Sequence, residues 1–478
     1  MLDALDRVVG DRLEQWVTGH HQRRLRRLGW SQALAPTGPR WWAEGDLLPR
    51  SGNTMAVHID GAAALPALAD ALGKARSQVH IANWHASPDF RLTREPDAPP
   101  LRDLLGELAE RLPVRLLLWA GPPAPVFQPT REMARNACAG FTSGTKVACA
   151  LDARERTMHC HHEKIVIIDG ERAFVGGIDL TALAGDRYDS PGHPPTTPLA
   201  WHDAAIELTG PVVADVARHF TNRWGEVTKE VLPEPIPPAA TGDVDVQIAR
   251  TVPERTYRFA RSGIFAALDG YLRALHQAQE YIYLENQFFW SAEVTAVLAD
   301  KLAHPPSDTF RIVLVLPAHP DSGADTTRGQ LGTLMQADGG AGRLLATTLT
   351  AMEGTAVGTL YVHAKIGIVD DRWLTIGSAN LNDHSLFNDT ELNVITCDPA
   401  LARDTRLRLW AEHLQLETSE VDGDPHNVID KRWRPTATEE LARRRNGAPP
   451  RHRVSLLPAV SRRTARLGGP IRGLLVDG

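Results

Sequence analysis

Cys160-His161-His162-Glu163-Lys164-Ile165-Val166-Ile167-Ile168-Asp169-Gly170 is the stretch from which the rest of the chain can be read. It holds a histidine, a lysine two positions on and an aspartate five further: His162, Lys164 and Asp169. The same spacing returns as His363, Lys365 and Asp370, 201 residues later (363 − 162). Seven residues after each aspartate stands a small pair, Gly176-Gly177 in the first copy and Gly377-Ser378 in the second. One copy would be weak evidence, because His and Lys sit on the surface of many strands. Two copies in register mark a duplicated unit, and a period near 200 residues is a domain duplication and not a solenoid.

Val166, Ile167 and Ile168 are β-branched and the run stops at Asp169-Gly170, which predicts a buried strand closing on a tight turn, with Ala173 to Val175 as the return strand. Side chains two apart on a strand share a face, so His162 lies beside Lys164 and His363 beside Lys365. An imidazole next to an ammonium suits a phosphate: the lysine holds a nonbridging oxygen, and the imidazole attacks phosphorus or passes a proton. Asp169 falls on the opposite parity, at the turn, where a structural task is expected.

The chain has 478 residues and 43% hydrophobic composition, enough to bury one large core or two medium ones. No apolar run approaches the ~20 residues of a membrane span. Met1 to Asp6 carries early acids and no apolar core segment, unlike a secretory signal. Cys138, Cys149, Cys160 and Cys397 show no Cys-x-x-Cys spacing, so a reduced, cytoplasmic protein is expected. The net charge is −6, but the residues after Ala442 hold nine arginines and one acid, a net of +8, which leaves −14 for the rest (−6 − 8). An acidic body argues against a nucleic-acid substrate.

Each half reads as helix, strand, helix, strand, catalytic strand. Leu65, Leu68 and Leu72 mark a helix before the strand Val79 to Trp84, and Leu101, Leu104, Leu105 and Leu108 a helix before Val114 to Trp119. Ile264, Leu268, Leu272 and Leu275 precede Tyr281 to Asn286, and Phe310 to Leu316 is the later strand. Such alternation implies layered α/β packing. Val213, Val216, Phe220 and Trp224 form an apolar stripe that closes the first half, and Leu232 to Pro238 is a Pro-rich linker. The expected division is an N-terminal helical extension over 1–50, a first domain over 51–231, a linker over 232–243, a second domain over 244–420 and a basic tail over 421–478. Leu13, Trp16 and Val17 with Arg23, Arg24, Arg26 and Arg27 suggest a helix packed on the body, or one lying on a membrane. Pro317 to Arg343 is the candidate mobile loop over the site. The tail is either disordered or drawn to anionic lipid.

These features resemble the phospholipase D superfamily, over roughly Gly52 to Leu414, and its eukaryotic-type branch in particular. The carriers are His161-His162-Glu163-Lys164, Phe174 to Leu180, Asp186-Arg187-Tyr188-Asp189, Trp201-His202-Asp203, Tyr283 to Phe289, Tyr361 to Lys365 and Ile376 to Asn382. The resemblance implies two similar α/β/α sandwich domains related by a pseudo-twofold axis, with the active site at their interface. It implies a catalytic set of His162, Lys164, Asp169, His363, Lys365, Asp370, Asp203 and Glu391. Gly176, Gly177, Gly377, Ser378 and Asn380 are the expected phosphate- or substrate-binding residues, and Asp179 takes the place of Asn380 in the first half. His162 is assigned as nucleophile and His363 as general acid/base, with Asp203 expected to orient His162 and Glu391 to orient His363. His159, Cys160 and His161 invite a metal, but three consecutive residues on one strand cannot converge on a tetrahedral ion, so neither metal nor cofactor is expected.

The implied function is phospholipase D chemistry on glycerophospholipid headgroups at a membrane surface, with water or an alcohol as acceptor. No obligate protein partner is evident, and attachment to the inner membrane face is left open. Cardiolipin synthase-like transfer shares the catalytic residues and is the alternative. A superfamily nuclease and a non-catalytic membrane-binding protein come after it.

Overall fold

The computed structural model describes residues 2–123, 128–155, 159–319 and 324–457. The first half supplies β1 (Arg50–Ile59), β2 (Val79–Asn83), β3 (Val114–Trp119), β4 (Ala148–Asp152), β5 (Ile165–Ile168), β6 (Arg172–Gly176), β7 (Ala200–His202) and β8 (Ala204–Thr209). The second supplies β9 (Val244–Val252), β10 (Ile264–Phe265), β11 (Tyr281–Asn286), β12 (Arg311–Val315), β13 (Leu344–Glu353), β14 (Ala356–Val362), β15 (Lys365–Val369), β16 (Trp373–Gly377) and β17 (Glu391–Thr396), with β18 (Val454–Leu456) at the end.

The order in the first sheet is β4-β3-β2-β5-β6-β8-β1, parallel among β4, β3 and β2 and antiparallel beyond. In the second it is β13-β12-β11-β15-β16-β17-β9, with the same alternation. The two sheets therefore have one topology and meet where β1 pairs with β9.

β5 explains the unbroken apolar run. Ile165 and Ile167 pack into a core shared by both halves, while Val166 and Ile168 face an outer core of the first half. A strand buried on both faces has no polar alternation. The outer layer of the first half is built from the helices Gly61–Gly73, Leu101–Ala109 and Arg131–Thr142. That of the second includes Ala266–Gln277, Ala292–Ala303 and Ala324–Asp338. Between the sheets lie Val213–Thr228 and Pro399–Leu414, whose Phe220, Trp224, Leu409 and Trp410 are buried in the shared core. Each half is thus an α/β/α sandwich.

Three expectations change. The Pro317 to Arg343 segment is not a loop throughout, because Ala324–Asp338 is a helix with Leu331 and Leu334 fully buried. Each half also carries a further helix and parallel strand before the catalytic strand, Arg131–Thr142 with β4 and Ala324–Asp338 with β13, beyond the expected alternation. The basic tail is folded as far as Leu457: Arg434–Arg445 is a helix, β18 pairs with β13, and buried Arg453 donates to the carbonyls of Pro191, Gly192 and Glu412. Its later arginines lie outside the described residues.

The N-terminal helix, Leu2–Leu28, is packed on the body through its last turns. Arg24 forms an ion pair with Glu254 at 2.6 Å and His21 one with Glu293 at 3.0 Å, and Leu25 is buried.

Candidate active site

Lys164 and Lys365 follow their histidines on the same face, as the strand parity requires, and both ammonium groups are buried. Lys164 donates to the His162 carbonyl at 2.6 Å, and Lys365 to the His363 carbonyl. The opposite parity looks away from the site. His161 and Glu163 meet the buried Arg223, with Glu163 also bound to His219 at 2.8 Å.

The two halves interlock at the seam. His161 pairs with Thr390, and the His162 N–H donates to the Thr390 carbonyl at 3.1 Å. Symmetrically, β14 pairs in parallel with β7, and the His363 N–H donates to the His202 carbonyl at 2.8 Å. The catalytic segment of each half thus runs beside the carboxylate-bearing segment of the other. This overturns the expected pairing within halves. His162 Nδ1 lies 3.0 Å from Glu391 Oε1, and His363 Nδ1 lies 2.5 Å from Asp203 Oδ2. The carboxylates follow their own half's histidine in sequence, but interlocking delivers each across the seam.

Each carboxylate is itself oriented. Ser378 Oγ and Ser385 Oγ each donate to Glu391 at 2.5 Å, and the Ala204 N–H donates to Asp203 at 2.8 Å. With Nδ1 held in both rings, Nε2 is the nitrogen turned to chemistry. Burial, reinforced by Lys365, Arg187 and Lys164, holds His363 well below the usual imidazole range. Burial pushes Lys365 down to about 7 and Asp203 up to about 6.

The surroundings of the two lysines differ. Gln287 Oε1 accepts from Lys365 at 3.0 Å and from Asn380 Nδ2 at 3.3 Å, a neutral amide platform. Lys164 instead has Asp179 at 3.7 Å and the Trp84 ring at 5.9 Å.

Several predicted residues have other tasks. Asp169 and Asp370, grouped with the catalytic residues, stand at the far ends of β5 and β15. Asp169 accepts the N–H groups of Arg76, Ser77 and Gln78, and Asp370 those of Gln279, Glu280 and Tyr281. They fix the turns that enter β2 and β11. The glycines are places of close approach. A Cβ at Gly177 would lie 2.1 Å from Asp203 Oδ1, at Gly176 2.4 Å from the Ala204 carbonyl, and at Gly377 2.3 Å from Asn393 Oδ1. Ser378 braces Glu391.

Behind Asp203, motif residues His202 and Asp189 join a buried network that motif spacing does not reveal. Buried His202 bonds Asp60 and Glu285, each at 2.8 Å, Glu285 bonds His413 at 2.9 Å, and His193 bonds Asp189 at 2.7 Å. Burial alone would lower His193, but Asp189 and Asp60 raise it to about 9. Burial likewise opposes charge on His202, and Asp60 and Glu285 overcome it to hold His202 well above its usual range. Arg187 was visible only as part of a motif. It lies buried with its guanidinium 3.4 Å from the Trp201 ring, and that ring is 4.4 Å from His363.

A family model described as "Phospholipase D" matches residues 71–200, and one described as "Cardiolipin synthase, PLD-like domain" matches 271–410. The chain is 27% identical to phospholipase D A of Dictyostelium discoideum, over 80% of this chain and 37% of that protein. It is 24% identical to phospholipase D2 of Bos taurus, over 78% and 51% respectively. The chain thus spans between about a third and a half of the length of these two relatives. The solved structure of phosphatidylserine synthase from Haemophilus influenzae Rd KW20 shares the fold, with a TM-score of 0.53 at 13% identity, covering 81% of this chain and 94% of that one. With one model on each half, each over a His-x-Lys segment or the strands leading to it, and the duplicated motif folded into one seam, the chain belongs to the phospholipase D superfamily.

Proposed function

We propose that this chain is a phosphodiesterase and phosphatidyltransferase that exchanges the headgroup of a glycerophospholipid through a phosphohistidine. The crossed pairing carries the reading: two imidazoles, each with Nδ1 engaged by a carboxylate of the other half, can turn their Nε2 atoms to one phosphorus. His162 Nε2 attacks, forming a P–N bond as the P–O bond to the headgroup breaks. His363 Nε2–H gives its proton to the departing alkoxide. Water or an alcohol then loses a proton to His363 and attacks phosphorus, and the P–N bond breaks. Lys164, Lys365 and Asn380 hold the nonbridging oxygens.

Burial, reinforced by the neighbouring cations, holds His363 well below the usual imidazole range and keeps it neutral. A bound phosphodiester brings negative charge to those cations and favours the protonated ring, so the acid is formed as substrate binds. Asp203 positions that ring, and Glu391 positions His162. The reading places the protein in the cytoplasm, peripherally at a lipid surface. No helix among the described residues is long and apolar enough to cross a membrane. The displacement as written calls for no cofactor and no protein partner.

The match of residues 271–410 to a cardiolipin synthase domain favours a second reading, transfer of a phosphatidyl group to phosphatidylglycerol. Liposomes of phosphatidylcholine, phosphatidylethanolamine and phosphatidylglycerol, with and without a primary alcohol, separate the two. Phosphatidate that gives way to phosphatidyl-alcohol supports headgroup exchange. Cardiolipin from phosphatidylglycerol moves the function to the synthase. Cleavage of an oligonucleotide with no lipid product defeats both.

A further inference from the structure

One largely buried cluster, three residues from His162 in sequence at its nearest, has no part in the displacement proposed above. The seam that sets Thr390 against His161 also brings His159 to His384 and Asp389. His159 Nδ1 lies 3.7 Å from Asp389 Oδ1, and the two imidazole rings are 5.7 Å apart. One donor atom from each of the three residues lies within 4.8 Å of the others.

His384 is the residue that demands explanation. It is fully buried, yet neither ring nitrogen has a hydrogen-bond partner among the described residues. Buried polar groups are costly unless paired, and their exceptions concentrate at functional sites. His384 also opens a π-helical turn, His384–Asn388, a geometry that recurs at functional sites. The larger cluster around His202 is different, because there the imidazoles are bonded to carboxylates and two of them carry the balancing charge.

We propose that His159, His384 and Asp389 bind one borderline divalent cation of the zinc type. Two imidazoles and one carboxylate, with water completing the shell, are a common donor set for such an ion. Metal–ligand bonds of about 2.0–2.1 Å place tetrahedral donors about 3.4 Å apart, so the donors approach one another by at most about 1.4 Å (4.8 − 3.4) on binding. Cys160 and His161 are not ligands: Cys160 packs with Trp84 and Trp119, and His161 faces Arg223. The ion joins the two halves at the seam, on residues that immediately precede Cys160 in one half and Thr390 in the other. It therefore fixes the approach of Glu391 to His162.

The test is calorimetric titration of chelator-stripped, full-length protein with zinc chloride, with elemental analysis and thermal unfolding in parallel. One equivalent bound per chain and a raised Tm are expected. Affinity should fall at least about tenfold in His384→Ala. It should also fall in His159→Gln, a change at the accessible edge of the site that guards against a misfolded core. Absence of stoichiometric binding, or wild-type affinity in both variants, overturns the proposal. Both outcomes are independent of any lipid activity.

Discussion

The assignment of carboxylates to histidines decides what each catalytic residue can do. Glu391 touches His162 and Asp203 touches His363, so a change in one half's carboxylate is felt by the other half's imidazole. In nitrogen-detected NMR, Glu391→Gln should shift the Nδ1 resonance of His162 and leave that of His363 in place. The reverse pattern would restore pairing within halves. Asp203→Asn should lower kcat by about 10²–10⁴-fold, in proportion to the loss of imidazole orientation, with a smaller change in KM. Lys365 makes a second residue-scale prediction. Burial lowers it to about 7, and a bound anion favours its charged form. Binding of inorganic phosphate should therefore take up protons around pH 7 and weaken as pH rises above that. Calorimetry in two buffers of different ionisation enthalpy measures the uptake. The identity of His162, Lys164, His363, Lys365, Asp203 and Glu391 was legible from motif spacing and resemblance. Their cross-seam pairing was not, because chain order carries no information about which half a strand end reaches into. Ser385 was hidden for the same reason, and so were the partners of His202: these contacts exist only in the assembled fold.

At the level of elements, the aspartates and glycines of the motif shape strand ends. Asp169→Ala leaves the N–H groups of Arg76, Ser77 and Gln78 without their acceptor. It should cost about 1–3 kcal/mol in denaturant unfolding while turnover per folded enzyme stays within about twofold. Gly177→Ala should do the opposite. The new Cβ displaces the Asp203 carboxylate, so activity falls far more than stability. The cluster behind β7 has its own signature. His193 is raised to about 9, so its stabilising contribution is complete below the unfolded value near 6.5 and is lost as pH climbs through 9. That loss amounts to up to about 3 kcal/mol, and thermal unfolding between pH 6 and 10 should show it, with a flatter profile in His193→Gln. The sequence announced strands that are apolar on both faces. β4 carries no such signal, because Ala148-Cys149-Ala150 is small and partly exposed. The helix Ala324–Asp338 is obscured by its many Gly, Asp and Thr residues, and the fully buried apolar side chains among its described residues are Leu331 and Leu334.

For the whole molecule, the 201-residue repeat of motifs foretold two sheets of one topology, and the strand orders bear it out. What spacing could not convey is the degree of interlock. The halves share one core and exchange strand segments on both sides of the site. The duplication is also imperfect where it matters, with Gln287 and Asn380 around Lys365 but Trp84 and Asp179 around Lys164. In the proposed mechanism, that difference lets two similar imidazoles take unequal roles. The most direct measurement is rapid quenching of the enzyme with a short-chain phosphatidyl ester, followed by peptide mass spectrometry. A phosphorus adduct should appear on His162, accumulate in His363→Asn and be absent from His162→Asn. An adduct on His363 would exchange the two roles, and turnover with no adduct on either histidine would contradict the covalent mechanism itself.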